Sequence, residues 1–265
     1  MNSNASKRFD LSGRTAWVVG GAGVLGRSVC HALGEHGAHV VVGDIRREAV
    51  HELGKELRAA GLSAEATVLD AGDEAGILKC AESILAKRDR IDVVVNMAYY
   101  YTKTPADRIT VREWEAGMRV TLTGAFIVGR ESARIMKRQG GGSIIQFSSM
   151  YGLVSPDPRM YVPNYEVNPI DYGVAKAGVL QMVRYQAVML APYKVRVNAI
   201  VPGPFPDPAT QGADPEFLQK LGDKTPMGRV GDHSEIAGAV VYLASNASSY
   251  VTGTHLVVDG GWTAW

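Results

Sequence analysis

The sequence has no stretch of 18 uninterrupted apolar residues, and its opening MNSNASKRFDLSGR carries no apolar core of the kind a secretory leader needs. Neither a membrane span nor a signal peptide is expected, so the chain is read as cytoplasmic with no membrane partner. Cysteine is scarce: Cys30 and Cys80 form no CxxC pair, which argues against a disulfide framework and for two reduced thiols. An excess of one charge is also missing. With 28 basic against 27 acidic residues, no cluster is long enough to follow a phosphate backbone, and nucleic acid is not expected as a partner. The six histidines, at 31, 36, 39, 51, 233 and 255, show no HExxH or other ligand spacing. No metal is expected, and His51 reads as an exposed helix residue.

The 265 residues contain no repeat, linker or low-complexity segment, which favours one α/β domain spanning 1–265. From residue 14 to 97 short β-branched runs (TAWVVG, HVVVGD, AEATVLD, IDVVVN) alternate with helical patterns. Val50, Leu53, Leu57 and Ala60 recur at helical spacing, whereas VVVGD and DVVVN do not alternate, as expected of strands covered on both faces. The rhythm continues with a long helix around 110–137, the strand GSIIQFSS, a helix from about 171, KVRVNAIVPG, a helix near 234–245 and HLVVD. Crossovers of this length require parallel strands with right-handed connections. The expected fold is a Rossmann-like doubly wound parallel sheet with helices on both faces. Two proline-rich loops, about 155–170 and 202–222, follow strands, where an open α/β sheet binds its ligand.

The chemistry concentrates at strand ends. In VVGGAGVLGRSV, Gly20, Gly23 and Gly26 stand between a strand and a helix, spaced so that backbone N–H groups can approach a pyrophosphate. Asp44 ends the second strand 18 residues after Gly26, suited to accept ribose hydroxyls and to repel a 2′-phosphate; NAD is favoured over NADP, with Arg46 and Arg47 as the counterweight. With DYGVAKAGV at 171–179, the sequence resembles the short-chain dehydrogenase/reductases from about residue 10 to the C-terminus. Tyr172 and Lys176 are one turn apart on one helix face. The resemblance implies that Ser149 holds the substrate oxygen, that Tyr172 transfers its proton, and that Lys176 binds the nicotinamide ribose and lowers the tyrosine pKa. An ammonium about 4 Å from a phenol contributes roughly 4 kcal/mol at an effective dielectric near 20, or about three pKa units. Cofactor contacts are implied at Gly20, Gly23, Leu25, Gly26, Asp44, Asp70, Ala71, Asn96, Ala98, Tyr172, Lys176, Pro202 and Gly203. Asn198 and the closing VVDGG read as structural.

Departures from the family pattern are as informative. VNMAYYY stands where VNNAG is usual, so Met97 replaces an asparagine and Tyr99 a glycine; Tyr99, Tyr100 and Tyr101 are expected to wall the site or to pack beneath the next loop. VTLTG replaces VNLTG, putting Thr121 at the position of an asparagine that the resemblance assigns to a proton relay; a reduced or rearranged relay is expected. Val19 and Asp207 also replace usual threonines. An insertion separates Ser149 from Tyr172 by 23 residues and carries Arg159, Tyr161, Asn164, Tyr165, Glu166 and Asn168, a set suited to hydroxyls or a carboxylate. Substrate contacts are expected at Tyr99, Tyr100, Tyr151, Arg159 and Tyr165. With the ending GGWTAW, the pattern looks like a branch acting on sugars and sugar acids. Trp262 and Trp265 are expected to pack at a subunit interface of a homodimer or homotetramer, or to close a pocket.

The expected activity is NAD(H)-dependent interconversion of a secondary alcohol and a ketone on a polyhydroxylated small molecule. The alternatives are an epimerase or dehydratase holding NAD tightly, and a non-catalytic dinucleotide-binding protein.

Overall fold

Residues 6–162 and 165–265 are described by the structure, a computed structural model; Asn164 of the insertion lies outside the described residues. In chain order the elements are β1 (Thr15–Val19), α1 (Val24–Glu35), β2 (His39–Asp44), α2 (Arg47–Ala59), β3 (Ala64–Val68), α3 (Glu74–Arg88) and β4 (Val93–Asn96). There follow α4 (Val111–Met118), a π-helical segment Arg119–Gly124, α5 (Ala125–Gln139), β5 (Gly142–Phe147) and α6 (Ile170–Leu190). The chain closes with β6 (Val195–Pro202), α7 (Pro215–Lys224), α8 (Glu235–Ala244) and β7 (His255–Val258). All seven strands pair in parallel in the order β3-β2-β1-β4-β5-β6-β7. The order reverses direction between β1 and β4, which opens a crevice at their carboxyl ends.

The unalternating strands are explained by a core on each face. Ala16, Val18, Val40, Val42, Val93 and Val95 pack toward α1, α2 and α8. Trp17, Val19, Val41, Val94 and Ile144 pack toward α3, α5 and α6. Each fully buried Val, Leu or Ile contributes roughly 1.5–3 kcal/mol relative to exposure, so the pattern of residues 14–97 commits each strand to a doubly covered sheet. Cys30 and Cys80 are free and lie in opposite cores; burial pushes both thiols up, Cys80 to about 12, which makes them inert.

Two expectations need correction. The stretch 202–222 is not one loop: α7 begins at Pro215 because Asp214 accepts the N–H groups of Glu216 and Phe217, and proline at the first helical turn sacrifices no hydrogen bond. The long helix is interrupted by the π-helical turn at 119–124, which carries Thr121. A methyl on Gly124 would collide with the Ala71 carbonyl, so this turn packs directly on the segment after β3. Among the described residues no helix is long and apolar enough to cross a membrane, and no three His, Cys, Asp or Glu side chains gather into a metal-holding group.

Candidate active site

The loop after β1 is shaped by close approach. Gly20 has φ +77°, and a methyl there would lie 2.7 Å from the Ala98 nitrogen; one on Gly26 would meet the Gly21 carbonyl. Space opens only at Gly23, toward the Arg46 guanidinium. Helix α1 starts at Gly23 with no side-chain cap, leaving its first N–H groups for an anionic ligand. Leu25, in the first turn, packs against the core. These features fit the pyrophosphate of a dinucleotide.

At the end of β2, Asp44 is buried. It accepts the Ala22 N–H at 3.1 Å and both guanidinium arms of Arg46, at 3.0 and 3.1 Å. The carboxylate therefore orders the glycine loop and carries its own counter-ion, while Arg47 points outward from α2. Asp70 lies two residues beyond β3 and accepts the Gly72 N–H at 2.7 Å, and Ala71 is buried beneath it. Asn96 is buried, donates to Gln146 Oε1 at 2.9 Å and accepts from the Ala98 N–H. Its amide shapes the strand end rather than facing the crevice. Gly203, after Pro202, abuts Asp259, and its N–H donates to the Val258 carbonyl. Asn198 and Asp259 hold backbone groups of the C-terminal segment, the structural role expected of them.

The three tyrosines after β4 form a wall. Tyr99 and Tyr101 stack with centroids 5.9 Å apart, and both stand edge-on to Tyr172 at 5.9 and 5.6 Å. Lys176 Nζ lies 5.7 Å from the Tyr99 ring and 5.5 Å from the Tyr172 ring. Tyr100 is half exposed and is held through its backbone by the Thr121 hydroxyl, which accepts from its N–H and donates to its carbonyl. The single Thr121 proton is thereby committed to the Tyr100 carbonyl, leaving none to donate to a water.

The end of β5 and the face of α6 bring the remaining groups together. Ser149 is buried, its Oγ accepting the Tyr151 N–H, and it acts on the Tyr172 phenol. Lys176 is buried with no carboxylate partner among the described residues: its ammonium donates to the Phe147 carbonyl at 2.7 Å, and the Ser148 hydroxyl ties β5 to the Lys176 carbonyl. An ammonium has three donors, so Lys176 retains donors that fit ribose hydroxyls. Burial, more than the lysine charge, sets the electrostatics of this pair. Burial pushes Tyr172 up, the Ser149 hydroxyl and not the lysine drawing it down, and burial lowers Lys176 to about 7. The ammonium stands beside the phenol ring at the long end of its influence, and desolvation of both groups outweighs their attraction.

The insertion differs from expectation in detail. Arg159 is exposed and its guanidinium is paired with Asp157 at 2.9 and 2.7 Å. That partner lies only two residues away in sequence. Tyr165 stacks on Phe217 at 4.6 Å, packing the loop onto α7. The Tyr151 hydroxyl pairs with that of Tyr161 at 2.9 Å, and Tyr172 is among the groups that raise its pKa. Trp262 is buried with Met150, Val162, Phe217 and Leu221, so the C-terminus packs onto the insertion loop and α7, while Trp265 stays exposed and donates its indole N–H to the Lys224 carbonyl. Sequence reasoning missed the Phe147 carbonyl, Ser148, Thr102 and Asp171. A serine beside Ser149 and an acid beside Tyr172 were visible, but nothing local says what they touch.

Comparison with known proteins agrees with this geometry. The family described as enoyl-(acyl carrier protein) reductase matches residues 20–263. A cis-4-hydroxycyclohexanecarboxylate dehydrogenase from Sinomonas cyclohexanicum is 33% identical over 95% of this chain and 97% of its own. A cyclopentanol dehydrogenase from a Comamonas species is 32% identical over 96% and 98%. The crystal structure of a gluconate 5-dehydrogenase from Burkholderia cenocepacia, in complex with NADP and tartrate, superposes with a TM-score of 0.89 at 31% identity, covering 98% of this chain and 99% of that one.

Proposed function

The chain belongs to the short-chain dehydrogenase/reductase family, oxidoreductases acting on alcohol- or ketone-bearing substrates, and we propose that it is an NAD(H)-dependent dehydrogenase of a hydroxylated ring compound such as a cyclitol or cyclic sugar. The observation that carries this reading is the convergence of Ser149, Tyr172 and the carboxylate-free Lys176 at one strand edge. The nicotinamide ring, when bound, supplies the hydride acceptor and donor. Ser149 orients the substrate oxygen, and Tyr172 takes the hydroxyl proton during oxidation and returns it during reduction. Lys176 donates to the ribose hydroxyls and to the developing negative charge near Tyr172.

Two features support the finer choices. The buried carboxylate of Asp44 suits the two hydroxyls of an unphosphorylated ribose and favours NAD, although the Burkholderia relative holds NADP. A ring substrate suits the stacked Tyr99 and Tyr101 and the Tyr151–Tyr161 hydroxyl pair, since aromatic faces cover saturated rings and phenols bond their hydroxyls. With Arg159 paired to Asp157, a neutral ring is favoured over a free sugar acid. Helix α6 also exposes Val174, Tyr185, Val188 and Met189, an apolar stripe suited to homodimer or homotetramer formation.

The test is nicotinamide reduction with NAD and a panel of cycloalkanols, cyclitols, sugars and sugar acids, run beside Tyr172→Phe. Turnover on ring alcohols that falls at least ~100-fold in the variant, with NADH binding retained, supports the proposal. Turnover without added cofactor, or turnover untouched by Tyr172→Phe, defeats it.

A further inference from the structure

We propose that Asp171 is a positioning residue, whose buried carboxylate staples the tyrosine wall after β4 to the first turn of α6 and so sets the placement of Tyr172. This rests on the oxidoreductase reading for its consequence, but the geometry stands apart from it. Asp171 is fully buried, and among the described residues its carboxylate has no cationic partner. Its two oxygens take the backbone N–H of Thr102 at 3.1 Å and the Thr102 hydroxyl at 3.4 Å. A buried ionisable group held by one neutral residue is costly unless its placement matters, and its seat in the first turn of α6, toward the positive end of the helix dipole, offsets part of that cost.

The positions on either side give the staple its meaning. Thr102 directly follows Tyr99, Tyr100 and Tyr101, and Tyr99 and Tyr101 are the rings that stand edge-on to Tyr172. Tyr172 directly follows Asp171. One pair of hydrogen bonds therefore closes a short circuit: from the Tyr172 ring to Tyr101, along the chain to Thr102, across to Asp171 and back to Tyr172. The far side of the carboxylate is closed by Gly117 of α4, where any side chain would collide with Asp171 Oδ2. Asn96 holds the Ala98 N–H ahead of the wall and Thr121 anchors it at Tyr100, so Thr102 is the side-chain anchor that follows it. With the wall fixed at both points, the phenol is confined; with Asp171 removed, the end nearest Tyr172 is free to shift.

The experiment compares Asp171→Asn, Asp171→Ala and wild type in three readouts: kcat and KM on a ring alcohol with NAD, the near-ultraviolet circular dichroism of the tyrosines, and thermal stability. Asn retains an oxygen for the Thr102 N–H, and Ala retains none. A displacement of about 1 Å at a reacting group costs on the order of 100-fold, so Asp171→Ala is expected to lose kcat by about that factor with KM changed far less, and to lose tyrosine ellipticity. Asp171→Asn is expected to restore most of both. Loss of stability in Asp171→Ala with kcat and the tyrosine signal unchanged would overturn the proposal, as would equal loss of kcat in both variants. Should wild type turn over nothing on the panel, the oxidoreductase reading fails, and the tyrosine signal of the two variants still decides the staple.

Discussion

The Thr121 hydroxyl donates to the Tyr100 carbonyl at 2.6 Å and accepts the Tyr100 N–H at 2.9 Å. Both hydrogen bonds run from a buried side chain in the π-helical turn to the strand end that carries the tyrosine wall. Where the family has an asparagine, this protein uses a hydroxyl to fix backbone. Thr121→Val keeps the shape and removes both bonds, leaving two polar backbone groups unpaired at about 1–3 kcal/mol each. The expected result is a fall in unfolding free energy of that order by urea titration, with Thr121→Ser near wild type. Equal stability of all three would show that Tyr100 is held by something else.

The Lys176 ammonium gives a pH signature with a definite sign. Burial lowers it to about 7 against an ordinary value of 10.5. Between those two values the unfolded chain binds the extra proton, so stability rises with pH, by up to about 1.4 kcal/mol per pH unit. Below about 7 the full cost of the buried ammonium is present. Lys176→Met removes that cost. Denaturant unfolding across this interval should find the variant more stable than wild type near neutrality and the two curves converging as pH rises; parallel curves would refute the lowered lysine.

Cofactor choice should turn on the Asp44–Arg46 pair. Asp44→Ser removes the carboxylate proposed to meet the ribose hydroxyls and frees the Arg46 guanidinium, now paired with it, for a 2′-phosphate. A charged hydrogen bond contributes about 1.5–3 kcal/mol, so the ratio of kcat/KM for NAD over NADP should fall by roughly tenfold or more. Arg46→Ala should move the same ratio upward, because Asp44 then repels the phosphate without a counter-ion. A ratio indifferent to both changes would place discrimination elsewhere.

The two C-terminal tryptophans should separate cleanly. Trp262 is 4% exposed and packs on the insertion loop and α7. Truncation to Ala is expected to cost about 3–5 kcal/mol and to raise KM for a ring alcohol more than it lowers kcat. Trp265 is 71% exposed, and its truncation should stay within about 0.5 kcal/mol. A Trp262→Ala protein with unchanged stability and KM would remove the C-terminus from the substrate wall.

Much of this was readable in order of residues alone, for local reasons. A β-branched run without alternation can only be a strand covered twice, and helices long enough to cross back make the strands parallel. The spacing of Gly20, Gly23 and Gly26, with Asp44 downstream, follows from how closely backbone must approach a pyrophosphate. Tyr172 and Lys176 share a helix face because four residues make about one turn. Helix α7 was legible too, in Asp214 followed by Pro215, but the prolines around it read as loop.

What the residue order could not decide was how distant segments spend one another's hydrogen-bonding groups. Arg159 looked free until Asp157 took its guanidinium, Thr121 looked available until it met Tyr100, and Asp171 was anonymous until Thr102 and Gly117 closed around it. The direction of the Tyr172 and Lys176 shifts belongs to the same class: desolvation depends on everything packed around a group, and Tyr99, Tyr101 and Phe147 arrive at that point from other strands. Local spacing selects the fold and the reactive pair. The environment that tunes them exists only once the chain has closed on itself.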